Sequence, residues 1–332
     1  MKCTNRKRTV RKNLCAGILS ILLAVSLTGC GGSKYAFPYD ASYNVSSFQV
    51  LSTVNAQSAG SFAQDLCIVT GDITDDAVDM SGAGAALLCD VNNADVLFAK
   101  NVYETMHPAS LTKIMTALVA MKYGSMDQVL TASENVKITE SGAQLCGIKP
   151  GDSMTLSQAL HILLIYSAND VAILIAEGVA GDAETFVQLM NDEAAAIGAT
   201  NTHFSNPHGL TAEEHYTTAY DLYLIFNEAI RYEAFREIIH MDSYSTVYYD
   251  SNGNTKDFSC QTTNQYLRGN FTPPENITIV GGKTGTTNAA GHCLILLSRD
   301  TAGAPYISVI LRSESRDLIY AEMTSMLSQI GK

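Results

Sequence analysis

Basic residues are scarce in this chain, and charge as a whole is low. Of the 332 residues, 21 are Lys or Arg and 33 are Asp or Glu, so that only 16% are charged. A surface that binds nucleic acid needs clustered Lys and Arg to neutralise phosphates. The acidic balance therefore argues against nucleic acid as a partner, and it is typical of a well-solvated protein.

Patterns that hold metals or frame disulfides are also missing. The seven histidines show no H-E-x-x-H or other ligand spacing. The eight cysteines include no C-x-x-C pair, so the sequence indicates neither a zinc site nor a disulfide framework. We therefore expect no metal and no cofactor. Cys89 and Cys293 lie in apolar, strand-like runs and are expected to be buried thiols.

The first 29 residues have the order of a bacterial signal peptide. Six basic residues precede an apolar run at 14–27. Leu27-Thr28-Gly29-Cys30 resembles the lipobox of bacterial lipoproteins. This resemblance implies cleavage before Cys30 and a lipid on its sulfur, which would tether the protein to the outer face of the cytoplasmic membrane. The alternatives are an ordinary signal peptide or a transmembrane anchor.

The rest of the chain divides into a tether and a globular domain. Residues 30–75 show little periodicity, which predicts a flexible tether, part of which could pack on the domain. In residues 76–332, apolar patterns predict strands at 83–91, 95–99, 245–249, 293–298 and 306–311, and helices at 156–166, 170–180, 183–197, 218–229, 232–239 and 314–330, besides one beginning at Ser110. This order predicts an α/β (α+β) fold: one antiparallel sheet from both chain ends, flanked by helices, with an inserted helical lobe.

A hydroxyl and an amine lie three residues apart in Ser110-Leu111-Thr112-Lys113, at the start of an apolar helical run. Residues three apart are neighbours on a helix, so a base lies beside a nucleophile. Burial and a second cation should lower the pKa of Lys113, which otherwise stays protonated. Most copies of this short pattern are nevertheless solvated helix starts.

Two further elements strengthen the interpretation. Ser167-Ala168-Asn169 closes an apolar helical segment, and Lys283-Thr284-Gly285-Thr286 follows two glycines and precedes a strand-like run. Ser-x-x-Lys, Ser-x-Asn and Lys-Thr-Gly in this order are the motif set of penicillin-binding proteins and class A β-lactamases.

Longer stretches around these motifs resemble one family. They are residues 147–152 (Gly-Ile-Lys-Pro-Gly-Asp), 204–210 (Phe-Ser-Asn-Pro-His-Gly-Leu) and 215–221 (His-Tyr-Thr-Thr-Ala-Tyr-Asp). Together they are similar to the low-molecular-mass penicillin-binding D-alanyl-D-alanine carboxypeptidases, serine peptidases of family S11 with a β-lactamase-like fold. The resemblance runs from about residue 80 to 330. Many relatives add a β-rich domain and a C-terminal amphipathic anchor, which we do not expect here, and often have Arg at the position of Tyr220.

The resemblance implies a role for each motif residue. Ser110 would be the nucleophile and Lys113 its base; Ser167 would relay the proton to the leaving amine, and Asn169 would hold the substrate backbone and Lys113. Lys283 and Thr284 would attract the terminal carboxylate, Gly285 would let the substrate approach, and the backbone N–H groups of Ser110 and Thr286 would form the oxyanion hole.

The implied reaction removes the terminal D-alanine from peptidoglycan stem pentapeptides, and β-lactam antibiotics would acylate the same serine. A class A-like β-lactamase, a DD-endopeptidase and a β-lactam sensor without turnover are the alternatives. The E-x-x-L-N pattern of class A enzymes is missing after the second motif. We also expect Cys146 to lie near the cleft, because it leads into the second motif.

Overall fold

The computed structural model describes residues 66–332, and its main sheet joins the two ends of this range. The strands follow the antiparallel order β2-β1-β9-β8-β7. Their bounds are Ala85–Asp90 for β1, Asp95–Lys100 for β2, Ile277–Thr287 for β7, Gly291–Asp300 for β8 and Pro305–Ser313 for β9. The prediction of an antiparallel sheet built from both ends of the domain is confirmed.

A second, four-stranded sheet was not foreseen. It has the order β3-β4-β5-β6, with β3 at Val129–Thr131, β4 at Ser153–Thr155, β5 at Ser243–Tyr249 and β6 at Thr255–Gln261. The strand predicted near β5 exists, but it belongs to this sheet and not to the main one. Strands β3 and β4 have three residues each, which is too short for an alternating pattern to be recognised.

The helices follow the prediction closely. They are α1 (Thr112–Tyr123, entered through a 3₁₀ turn at Ala109–Leu111), α2 (Leu156–His161), α3 (Asn169–Ala180), α4 (Ala183–Ala196), α5 (Ala219–Ala229), α6 (Glu233–His240) and α7 (Arg316–Leu327). One difference matters for the site. The helix predicted to run to residue 166 changes at Ile162–Tyr166 into a π-helical turn, which often marks a functional site.

The main sheet is covered on both faces. Successive residues of β1 point in opposite directions, so Leu87 joins the core that contains α1, whereas Leu88 joins the core against α7. Helix α1 is buried continuously from Thr112 to Ala120, because other elements surround it. The start of α1 is therefore held rigidly at the centre of the domain.

The packed domain begins before residue 76, so the predicted tether is too long. Cys67 and Val69 are buried, and Ile73 pairs with Ala99 of β2. The Tyr220 hydroxyl donates to the carbonyl of Cys67 at 3.1 Å, and the Tyr223 hydroxyl accepts from its N–H at 3.0 Å. Tyr220, whose role was open, thus fastens the segment before β1.

The predicted signal peptide, Cys30 and most of the predicted tether lie outside the described residues. Within residues 66–332, no helix combines the length and apolar character needed to cross a membrane. Cys89 and Cys293 are buried thiols, as predicted.

Candidate active site

A cleft of about 1240 Å³ brings the three predicted motifs together. Its walls include the motif residues Ser110, Ser167, Asn169, Thr284, Gly285 and Thr286. Lys113 and Lys283 lie directly behind these residues and are almost completely buried. Residues from the start of α1, the start of α3 and strand β7 therefore meet in one place, although 173 positions separate Ser110 from Lys283 in the sequence.

The backbone turns sharply just before Ser110. Ala109 has a φ of +48°, an unusual value for a residue with a side chain. The 3₁₀ turn that follows leads into α1 and places Lys113 Nζ 3.0 Å from Ser110 Oγ. Ser110 is partly exposed to the cleft. The Ser110 hydroxyl and the Lys113 amine are therefore neighbours, as the sequence predicts.

Lys113 Nζ has two further partners, and both can only accept hydrogen bonds. They are Asn169 Oδ1, at 2.7 Å, and the carbonyl oxygen of His208. A neutral amine has two hydrogens and one lone pair. If these two oxygens take the hydrogens, the lone pair is left for the hydrogen of Ser110 Oγ. The geometry thus suits a neutral Lys113 that accepts a proton from Ser110.

Burial makes this neutral form accessible. Loss of hydration, and secondarily the charge of Lys283, hold the pKa of Lys113 well below its usual value, whereas the carboxylate of Asp170 opposes this shift. Burial also lowers the pKa of Lys283 to about 7. Both amines consequently titrate far more easily than a surface lysine.

The second motif is shaped by the π-helical turn. Ser167 ends this turn in a left-handed conformation with φ +72°, and its Oγ accepts a hydrogen bond from Lys283 Nζ at 2.9 Å. Asn169 then begins α3, and its N–H donates to the carbonyl of Gln144 in the facing loop. The turn therefore directs both polar side chains of the motif into the cleft.

The third motif forms the edge of the main sheet along β7. A Cβ atom on Gly285 would lie 3.0 Å from the backbone nitrogen of Ser110, so glycine allows the strand to approach the nucleophile turn. Thr284 Oγ1 donates to Thr263 Oγ1 at 2.6 Å, and Thr286 Oγ1 lies 3.2 Å from His292 Nδ1. Hydroxyl groups thus line the end of the cleft expected to take a carboxylate.

Several residues of the site escaped sequence reasoning. Asp170 is buried, and its carboxylate accepts hydrogen bonds from the backbone N–H groups of Cys146, Gly147 and Ile148, which fixes the loop beside Ser167. Arg316, the first residue of α7, also lines the cleft.

Cys146 lies beside residues of the cleft but does not line it. Gln144 lines the cleft, but Cys146 packs against the core, and burial raises the pKa of its thiol to about 12. Cys260 and Cys293 are the described cysteines that line the cleft. A thiol with so high a pKa reacts slowly, so Cys146 is a poor target for thiol reagents.

In the part of the chain from residue 66 onward, no cluster of three or more His, Cys, Asp or Glu side chains is arranged to hold a metal ion. The groups that meet in the cleft are hydroxyls, amides and two buried amines. Such a set can carry out acyl transfer through a serine without any added group.

Comparison with known proteins agrees with this chemistry. Residues 73–315 match the family model of peptidase S11, D-alanyl-D-alanine carboxypeptidase. The D-alanyl-D-alanine carboxypeptidase DacF of Bacillus subtilis is 33% identical over 252 residues, covering 74% of this chain and 61% of that protein. DacC of Escherichia coli is 31% identical over 255 residues, covering 74% of this chain and 60% of that protein. This chain thus spans about three fifths of the length of these relatives.

The fold is that of the penicillin-binding DD-peptidases. The crystal structure of the Streptomyces K15 DD-transpeptidase superposes with a TM-score of 0.70 and 23% identity, covering 77% of this chain and 98% of that one. The family model goes further than the shared fold, because its match at residues 73–315 spans the three motifs. The chain belongs to the D-alanyl-D-alanine carboxypeptidase family, peptidase S11.

Proposed function

We propose that this protein is a serine D-Ala-D-Ala carboxypeptidase that removes the last residue of peptidoglycan stem pentapeptides. One observation carries the proposal: Lys113 Nζ lies between Ser110 Oγ and two oxygens that can only accept hydrogen bonds. This arrangement supports Lys113 as the base that activates Ser110. Membership of the S11 family supports the choice of substrate.

In the acylation step, Ser110 Oγ attacks the carbonyl carbon between the two D-alanines while its proton passes to Lys113 Nζ. The developing oxyanion accepts hydrogen bonds from the backbone N–H groups of Ser110 and Thr286, an interaction of the kind that contributes about 10²–10³ in rate per donor. When the C–N bond breaks, Lys113 gives up this proton, which passes through the hydroxyl of Ser167 to the leaving amine, and Lys283 orients that hydroxyl.

Deacylation completes the cycle. Water attacks the ester carbonyl on Ser110 and loses a proton to Lys113. As the bond between the acyl carbon and Ser110 Oγ breaks, Lys113 passes that proton to Oγ and the shortened peptide leaves with a new carboxyl group. Lys283 and Thr284 attract the substrate's terminal carboxylate, and Arg316 adds positive charge to the same cleft. A β-lactam presents a similar carboxylate and a strained amide, so it acylates Ser110 and leaves slowly.

A class A-like β-lactamase is the first alternative. Such enzymes use a glutamate to activate the deacylating water. Among residues 66–332, no carboxylate is hydrogen-bonded to Ser110 Oγ or Lys113 Nζ, and the carbonyl of His208 approaches Lys113 instead. This observation favours the carboxypeptidase.

Two assays distinguish the possibilities. Purified protein should release one equivalent of D-alanine from a stem pentapeptide and should hydrolyse penicillin only slowly. Fast, steady penicillin hydrolysis without D-alanine release would favour the β-lactamase, and acylation without release would favour a sensor. Cleavage of cross-linked dimers with intact pentapeptides would favour a DD-endopeptidase, which uses the same site.

Anchoring on the outer face of the cytoplasmic membrane by a lipid on Cys30 is part of the proposal. Its support is the Leu-Thr-Gly-Cys sequence that ends the signal-like segment. Cells fed a labelled fatty acid should label the wild-type protein but not Cys30→Ala. Equal labelling of both proteins, or of neither, would contradict lipidation at this residue.

A further inference from the structure

A buried histidine lies behind the nucleophile turn and takes no part in the chemistry described above. His215 is 1% exposed. Its Nδ1 accepts a hydrogen bond from the backbone N–H of Ser205 at 3.0 Å. Burial, together with the charges of neighbouring His107, His203 and Lys113, lowers its pKa to about 4. The ring is therefore neutral at physiological pH, and because Nδ1 is the acceptor, the single hydrogen is on Nε2.

This tautomer fixes the direction of a short hydrogen-bond chain. Nε2 lies 2.8 Å from Thr112 Oγ1, so it donates to that hydroxyl. The Thr112 hydroxyl in turn donates to the carbonyl oxygen of Ala109 at 2.8 Å. Each donor thus has one acceptor, and the series of hydrogen bonds ends on the carbonyl oxygen of Ala109, directly before Ser110.

The carbonyl of Ala109 and the N–H of Ser110 belong to the same peptide group. Because that group is planar, an interaction that fixes the carbonyl also fixes the direction of the N–H. The peptide needs such support, since Ala109 has φ +48°. Gly209 packs so tightly behind it that an added Cβ would lie 1.9 Å from the Ala109 oxygen.

We propose that His215 is a positioning residue that acts through Thr112 to aim the backbone N–H of Ser110 at the oxyanion of the acylation transition state. The inference rests on the proposed function, because it takes Ser110 as the nucleophile. His215 and Thr112 are not among the residues that line the cleft. Their influence is therefore expected on the rate of acylation and not on substrate affinity.

Two substitutions separate this role from simple packing. In His215→Gln the amide N–H₂ takes the position of Nε2 and still donates to Thr112. In His215→Asn the amide reaches only the position of Nδ1, so Thr112 loses its donor. Acylation by a fluorescent penicillin and turnover of a stem pentapeptide, each measured beside the thermal midpoint, give the readout. His161→Gln, at a half-buried histidine that stacks on Tyr244 and does not line the cleft, is the matched control.

We expect His215→Gln to keep the acylation rate within about threefold of wild type. His215→Asn should lower kcat about tenfold or more and leave KM unchanged. This loss is smaller than the loss expected when a whole oxyanion donor is removed. Thr112→Val should lower the acylation rate as much as His215→Asn does, whereas Thr112→Ser should not. The double variant Thr112→Val/His215→Asn should acylate no more slowly than either single variant. Equal rates for Asn and Gln, or additive losses, would overturn the inference. A wild-type protein that is not acylated at Ser110 would instead refute the proposed function.

Discussion

Lys113 is the residue on which the proposed chemistry depends, because its amine is buried beside Ser110. A lysine is almost never buried without partners, and here three oxygens surround it. Its pKa is depressed, so the neutral form predominates above that pKa and the ammonium below it. Since only the neutral form has a lone pair for the proton of Ser110, acylation should rise with pH through the pKa of Lys113.

Removing the charge of Lys283 tests the second cause of the lowered pKa of Lys113. Lys283 lowers the pKa of Lys113, so Lys283→Met should raise it and move the rising limb of the acylation profile to higher pH. The measurement is the second-order rate of penicillin acylation from acid to alkaline pH. Lys137→Met, at an exposed lysine paired with Glu134, should leave the limb in place. A limb that does not move in Lys283→Met would contradict this electrostatic coupling.

Two glycines of strand β7 allow close backbone contacts, one with the nucleophile turn and one within the sheet. A Cβ on Gly285 would meet the nitrogen of Ser110 at 3.0 Å, whereas one on Gly282 would meet the carbonyl oxygen of Ile295 at 2.0 Å. The first contact concerns the nucleophile turn and the second concerns only the sheet. The two glycines therefore separate an effect on activity from an effect on stability.

Gly285→Ala should lower the acylation rate about tenfold or more, as a displaced oxyanion donor would, with a small change in the free energy of unfolding. Gly282→Ala should instead lower that free energy by about 1–3 kcal/mol because the sheet must open. Urea unfolding and penicillin acylation measure the two quantities. The reverse pattern, with Gly282→Ala stable and inactive, would show that β7 does not approach Ser110 in this way.

The loop before the second motif depends on a single carboxylate. Asp170→Asn replaces one acceptor oxygen by an N–H₂ group facing backbone N–H groups, so we expect the free energy of unfolding to fall by about 1–3 kcal/mol. Asp182→Asn is the control, because asparagine caps a helix as well as aspartate. If the two variants unfold alike, Asp170 does not hold the loop.

For the molecule as a whole, the N-terminal boundary of the domain is the main structural correction. Cys67 and Val69 pack into the core, and Tyr220 and Tyr223 bind the backbone of Cys67. A chain that begins at residue 76 should therefore be less stable than one that begins at 66, by about 2 kcal/mol or more. Thermal and urea unfolding of the two chains measure this difference. If the two chains were equally stable, the domain boundary predicted at residue 76 would be correct.

The sequence predicted the motif residues and the long helices because their patterns are local. Helices α3, α4 and α5 have an apolar face that repeats with the helical period, whereas α1 is recognised by its uninterrupted apolar run. The three-residue spacing of Ser110 and Lys113 predicted the contact between their side chains. The sequence could not predict β3 and β4, whose three residues carry no period. Nor could it assign a role to Asp170, or to His215 within its family-like stretch, since their partners lie far along the chain and contact them only in the folded structure.

Mass spectrometry of the protein after brief treatment with penicillin tests the assignment of nucleophile and base most directly. We predict one adduct, located by peptide mapping on Ser110, that is missing in Ser110→Ala. It should form at least 100-fold more slowly in Lys113→Arg, because a guanidinium stays protonated and cannot accept the serine proton. An adduct on any other residue, or an undiminished rate in Lys113→Arg, would contradict the proposed chemistry.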